Sequence, residues 1–280
     1  MNRLAKGRMI RVIAGMTLLV TVIMLSAPIA ALAGAPLDLV LHLPMDEGTG
    51  PIAYDTSGFG NDGDIFGATW VGHLGGGALS FEGPADYVDC GNSVLAAGAF
   101  TAAMWIKPAV TQQRGILDLI TGASGLIAYQ RAFDGNNRQM FGFRGEHEVM
   151  SPVESITVGE WNHVALVYDG GAKNSLTSYR ILIDGVEQVL AFGSGPIGGI
   201  SDVNYIGREK NSTGFQGAID DVYVYNRALS SQEIIQYYED ATSPPLQPLP
   251  ATSNIFVFAA AVSVGILGYA LLRRVPRSQS

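Results

Sequence analysis

Phe215-Gln216-Gly217-Ala218-Ile219-Asp220-Asp221-Val222-Tyr223-Val224-Tyr225-Asn226-Arg227-Ala228-Leu229, followed by Ser230-Ser231-Gln232-Glu233, decides how this 280-residue chain is read. Its first half is β-branched and aromatic with a period of two, the pattern of a strand. On regular alternation Ala218, Asp220, Val222 and Val224 share one face, while Ile219, Asp221, Tyr223 and Tyr225 share the other. Either the Val face or the Tyr face can pack on a second sheet. With the Val face inward, Asp220 falls at the rim of a core, where a bare carboxylate is costly unless paired or bound to a cation. The second half starts a helix. Ser230 as N-cap and Glu233 three positions on form a capping box, and Ile234, Ile235, Tyr237 and Tyr238 then give an amphipathic turn and a half.

Upstream, residues 39–45, 116–120, 125–129, 140–144, 178–183, 186–192 and 204–207 read as short strands between Gly- and Asp-rich turns. Asp184-Gly185 is a two-residue turn of the primed hairpin kind. Strands this short and regular, with no helix until the end, predict an all-β, two-sheet antiparallel sandwich closed by one short helix. No internal repeat is visible, so residues 37–240 form one domain.

Charge is distributed unevenly. All 25 acidic residues lie between Asp38 and Asp240, whereas seven of the 17 basic ones (Arg3, Lys6, Arg8, Arg11, Arg273, Arg274, Arg277) lie in the two ends. So acidic a body is a poor match for a phosphate backbone, which excludes nucleic acid as a partner. Cys90 is the single cysteine; it permits no internal disulfide and reads as a small buried hydrophobe.

The ends read as addresses. Four cations precede the apolar run 12–32, and Ala31-Leu32-Ala33 fits a small-x-small cleavage site, so residues 1–33 read as a signal peptide cut after Ala33. The run is also long enough to span a bilayer, and a retained anchor is the alternative. Residues 241–254 are a Pro-rich linker, 255–272 an uncharged run of spanning length, and 273–280 a basic tail. The positive-inside rule keeps that tail cytoplasmic and displays the acidic body on the extracellular side. Leu249-Pro250-Ala251-Thr252-Ser253, ahead of the apolar span, resembles a Leu-Pro-x-Thr-Gly sortase signal cleaved after Thr252, with Ser253 in place of glycine. A plain single-span anchor behind a stiff linker is the other reading.

The opening stretch resembles the close of laminin G-like, concanavalin A-like lectin/glucanase jelly rolls, which reads F-x-G-x-I-D-D/E-V…Y-N-R-A-L-S-x-x-E-I. The likeness extends back to about Leu39 through Ala78-Leu79-Ser80-Phe81-Glu82-Gly83, Asp86-Tyr87-Val88, Phe100-Thr101-Ala102-Ala103-Met104-Trp105-Ile106-Lys107 and Trp161-Asn162-His163-Val164-Ala165-Leu166-Val167-Tyr168-Asp169-Gly170. It implies a jelly-roll sandwich. It also implies a structural calcium, because Asp55-Thr56-Ser57-Gly58-Phe59-Gly60-Asn61-Asp62-Gly63 matches the family's loop, which is often placed near the I-D-D strand. Oxygen donors on a curled loop suit such a hard cation, although turn chemistry alone also explains them. The implied ligands are Asp55, Asn61 and Asp220, with Asp46 as a further candidate.

Trp105 reads as a core or sheet-face residue, His163 as a buried, hydrogen-bonded histidine, and Gly145-Glu146-His147-Glu148 as an exposed polar loop. The Glu-x-Asp-x-x-Glu strand of related glycan hydrolases is missing, as are the common hydrolase motifs. The sequence therefore predicts a non-enzymatic binding module for a glycan or an extracellular protein. The alternatives are an adhesive envelope protein without a small ligand and, third, a hydrolase whose carboxylates converge from separate strands.

Overall fold

Alternation of apolar and polar residues, cut short by glycine and aspartate turns, yields 17 strands among the described residues of this computed structural model: 38–91, 98–110, 114–121, 124–133, 138–144, 148–193, 204–210 and 214–243. They are β1 Leu39–Leu43, β2 Ile52–Ala53, β3 Gly63–Phe66, β4 Thr69–His73, β5 Gly76–Phe81, β6 Tyr87–Asp89, β7 Phe100–Pro108, β8 Arg114–Thr121 and β9 Ser124–Phe133. Then follow β10 Arg138–Arg144, β11 Glu148–Met150, β12 Asn162–Tyr168, β13 Tyr179–Ile183, β14 Val186–Glu187, β15 Ala191–Phe192, β16 Tyr205–Ile206, β17 Gly217–Tyr225 and the helix α1 Ser231–Thr242. The chain divides into two units, Met1–Ala241 and Thr242–Ser280, and both sheets belong to the first. Residues 1–33 and 255–280, with Ala33 and Thr252, lie outside the described residues. Among the described residues no helix is long and apolar enough to cross a membrane.

Two antiparallel sheets stack. One runs β14-β13-β12-β7-β17-β5-β4, with β1 also on β17; the other runs β15-β11-β10-β9-β8-β16-β6-β3-β2. β17 is the hub of the first: it pairs along its length with β7, while its start pairs with β5 and its end with β1. Between the sheets lies a core that includes Leu41, Leu79, Phe81, Met104, Ile106, Ile116, Leu117, Val164, Leu166 and Val222. Side chains of this size each gain ~1.5–3 kcal/mol when fully removed from water. Cys90 is buried in the same core.

Several strands depart from the sequence reading. Residues 186–192 form two strands rather than one: β14 stays beside β13, and β15 crosses to pair with β11 in the other sheet. β4 was not legible as a strand; it is folded back on β5 by Leu74 (φ 46°) and Gly75 (φ 88°), the conformation of a primed turn. Asp184 (φ 49°) and Gly185 (φ 76°) make the expected turn of that kind between β13 and β14. Glu148 is buried at the start of β11 instead of belonging to an exposed loop, and residues 145–147 lie outside the described set.

The helix begins as its sequence dictates. Ser230 donates its N–H and its hydroxyl to Glu233 Oε2 (2.8 Å each), and Glu233 N–H returns to Ser230 Oγ at 3.3 Å. Arg227 Nη2 meets Glu233 Oε1 at 2.7 Å, and with the Ser230 contacts holds this carboxyl down at about 2. Ile234 buries the helix on the outer face of the first sheet, beside Ala165, Val167, Leu182 and Tyr225. Ser230→Ala removes the cap and is expected to cost about 1 kcal/mol, read as a fall in chemical-denaturation midpoint with an unchanged slope.

Candidate functional site

The Asp220-Asp221 pair does not continue the alternation of its strand. Between Asp220, opposite Trp105, and Tyr223, opposite Ala103, β17 holds one residue more than β7, and Asp221 takes φ 52°. This β-bulge shifts the parity of everything after it. Ile219, Val222 and Val224 therefore enter the core together, while Ala218, Asp220, Tyr223 and Tyr225 share the outer face. The regular alternation expected for residues 218–225 is corrected accordingly: Asp220 and Val222 lie on opposite faces.

On that outer face a polar and aromatic network runs across the sheet. Register sets His163 and Asp220 on either side of Trp105, which is buried as expected. His73, from β4, meets Asp220 Oδ2 through Nδ1 at 2.6 Å and stacks on Trp161 with ring centroids 3.7 Å apart. Burial pushes the Asp220 carboxyl up to about 6, partly offset by His73. His163 is buried, but its Nδ1 has no hydrogen-bond partner, so the expected hydrogen-bonded histidine is corrected to one packed between Trp105 and Tyr238. Burial holds it down at about 4, against a smaller upward pull from Asp221.

The loop read as a calcium loop is close to β17, yet its donors face inward. Asp55 Oδ1 accepts the N–H of His42 and of Ser57 (2.9 Å each); Oδ2 accepts the Ser57 hydroxyl (2.7 Å) and the Asn61 N–H (2.9 Å). Burial alone would raise this carboxyl, but these four donors hold it below its ordinary value. Asn61 spends its side-chain amide on Val40 C=O at 2.6 Å. His42 joins loop to strand: its Nδ1 meets Thr56 Oγ1 (2.6 Å), its Nε2 meets Asp221 Oδ1 (2.9 Å), and its ring stacks on Tyr223. Asp55 thus does not fit a calcium shell, because both its oxygens are already satisfied within the protein, whereas Asn61 commits its amide N–H and leaves the calcium question to its carbonyl oxygen. Asp46 and Asp220 meet instead at a separate pocket, with Asp221. Among the described residues no three His, Cys, Asp or Glu side chains form a group that could hold a metal.

The second sheet presents a different surface. β3 and β6 pair so that Phe66 opposes Tyr87 and Asp64 opposes Asp89, while β16 sets Tyr205 opposite Asp89. Ile65, Val88 and Ile206 of the same strands point into the core, which turns Asp64, Phe66, Tyr87, Asp89 and Tyr205 outward. Phe66 stacks on Tyr87 (4.7 Å, 13°), and the Arg208 guanidinium lies 3.9 Å from the Tyr87 ring centre and 4.7 Å from that of Tyr205. Arg208 is tied down by Nη1 donating to Pro84 C=O at 3.0 Å. Phe66 ends the row and is 44% exposed. The row is an amphipathic ledge: the exposed Phe66 ring to stack on, with carboxylates, phenols and a guanidinium to hydrogen-bond. Sequence reading passed over it, although Asp64-Ile65-Phe66 and Tyr87-Val88-Asp89 are mirror-image patterns that an antiparallel pairing superposes.

Residues 82–235, more than half of the chain, match the family model Laminin_G_3, described as the concanavalin A-like lectin/glucanases superfamily. The chain belongs to that superfamily. The matched superfamily region contains Tyr87, Asp89, Tyr205, Arg208 and Asp220, whereas Asp46, Asp55, Asp64 and Phe66 precede it. Among solved structures the chain is similar to domain 4 of AbnA, a GH43 extracellular arabinanase from Geobacillus stearothermophilus, in complex with arabinotriose. The TM-score is 0.51 at 18% identity, covering 71% of this chain and 97% of that one. It is also similar to the binding domain of Paraclostridial Mosquitocidal Protein 1 (TM-score 0.51, 13% identity, 72% and 52% covered). A third is Trypanosoma rangeli sialidase in complex with sialic acid (TM-score 0.51, 16% identity), of which the match spans 34%. At these identities the likeness is one of fold. No curated protein matches the chain in sequence.

Proposed function

We propose that this protein is a non-catalytic binding module of the superfamily that recognises a glycan on the Phe66–Tyr87–Tyr205 ledge, displayed on the extracellular side of a membrane by its C-terminal end. The observation that carries the reading is the solvent-facing aromatic row of the second sheet, flanked by Asp64, Asp89 and Arg208. Sugar rings offer C–H faces that stack on aromatic rings and hydroxyls that bond to carboxylates and guanidinium; this ledge supplies both. Support also comes from the arabinotriose complex of domain 4 of the arabinanase, a domain of the same fold. The carboxylates Asp64 and Asp89 favour neutral over acidic sugars, by like-charge repulsion.

A glycan array, followed by affinity measurement on the best hit, tests the proposal. Phe66→Ala, which removes the exposed stacking face without entering the core, is expected to weaken binding by about tenfold, ~1.4 kcal/mol. Incubation with the bound glycan is expected to release no reducing sugar. Binding to no glycan, together with capture of envelope proteins, would favour the adhesive reading instead, and sugar release would make the protein a hydrolase.

A further inference from the structure

A pocket of about 360 Å³ on the first sheet lies apart from the glycan ledge of the second and is walled by three carboxylates, Asp46, Asp220 and Asp221. Their settings differ. Asp221 Oδ1 meets His42 Nε2, and Asp46 Oδ1 accepts the N–H of Gly77 at 2.8 Å. Glycine at position 76 makes room for that carboxylate, since a Cβ there would stand 1.9 Å from Asp46 Oδ1. Asp220 is 95% buried; His73 satisfies its Oδ2, but Oδ1 is buried with no hydrogen-bond partner. A buried carboxylate oxygen left unpaired is costly, and a cation placed in the pocket removes the cost.

The geometry points to a binding site for a primary alkylammonium group, in which Asp220 and Asp46 hold the charge and Pro44 and Leu74 flank the alkyl stem. A metal ion is the weaker match, since no metal-holding group of three side chains exists among the described residues. The pocket is also far roomier than one bare ion requires. Leu74, 56% exposed in a left-handed turn at the pocket wall, offers apolar surface where an ammonium-bearing chain would enter. Ammonium groups on flexible apolar stems prefer such a setting, with the stem on apolar surface and the three N–H donors on carboxylates. The same group is presented by a lysine side chain of a protein partner and by a free polyamine.

The test is calorimetric titration of the full chain with pentylammonium and with Nα-acetyl-lysine amide, using pentanol as the neutral control. Saturable binding of an ammonium probe, none of pentanol, and at least a tenfold loss in both Asp46→Asn and Asp220→Asn are expected. Asn at position 220 can still bond His73, and Asp46 is exposed, so folding of at least the second variant is secured. Tighter binding of the lysine amide marks a protein partner as the source; tighter binding of pentylammonium marks a free amine. The inference is overturned if no ammonium probe saturates, if pentanol binds equally, if both variants bind as the wild type does, or if calcium occupies the pocket with one-to-one stoichiometry.

Discussion

Gly207→Ala is expected to lower the free energy of unfolding by about 3 kcal/mol, the sum of two separable costs. Gly207 has φ 90°, a conformation that disfavours a side chain, and a Cβ there would stand 2.4 Å from two ring atoms of Phe81. Phe81 is 1% exposed in the inter-sheet core and has no room to swing away. The backbone is fixed on both sides, since Gly207 N–H donates to Ile116 C=O at 2.8 Å and its C=O accepts from Phe215 at 2.7 Å. Gly48→Ala is the control: φ is 65° and nothing lies within 4 Å, so only the conformational cost of ~1 kcal/mol remains. Denaturant unfolding of the two variants measures both. A Gly207→Ala loss no larger than that of Gly48→Ala would show that the Phe81 contact is soft. Because Gly207 precedes Arg208, the same variant is expected to weaken glycan binding on the ledge.

The second large effect is a pH dependence carried by His163. Buried and held near 4, it stays neutral in the folded protein where the unfolded chain, with an ordinary histidine near 6.5, takes up a proton. Its setting therefore costs nothing above pH 6.5, and stability is lost as the pH falls from 6.5 toward 4. The loss approaches ~3 kcal/mol at the acid end of that window. Asp220, raised to about 6, has the opposite sign: its stabilising share is present below 3.8 and is lost as pH rises through 6. The two oppose each other in the wild type, so the difference from His163→Phe isolates the histidine. Melting temperatures of the two proteins are expected to differ by a constant amount above pH 7. Below it the variant gains steadily on the wild type. A pH-independent difference would mean that water reaches the His163 ring.

Much of the fold was legible in the chain. The period-two pattern marked β17, short β-prone runs marked β1 and β13, the family resemblance marked β5, β7 and β12, and the Ser230–Glu233 box marked the helix start, because these signals lie in contiguous stretches of the sequence. β2, β4 and the split of residues 186–192 were not legible. β2 has two residues, β4 is interrupted by Gly72 and folds on a Leu-Gly turn, and the break between β14 and β15 answers to the pairing needs of two different sheets.

The candidate sites divide in the same way. The sequence by itself determined that an acidic body with short, regularly spaced strands makes a sandwich and that Trp105 is a packing residue. Which face Asp220 occupies, which imidazole pairs with which aspartate, and that Phe66, Tyr87 and Tyr205 form one row were decided only by the tertiary structure. The physical reason is that a strand's side-chain parity is local until a bulge resets it. Residue 221 bulges because β17 must satisfy β7, β5 and β1 together, a constraint held by partners far away in the chain.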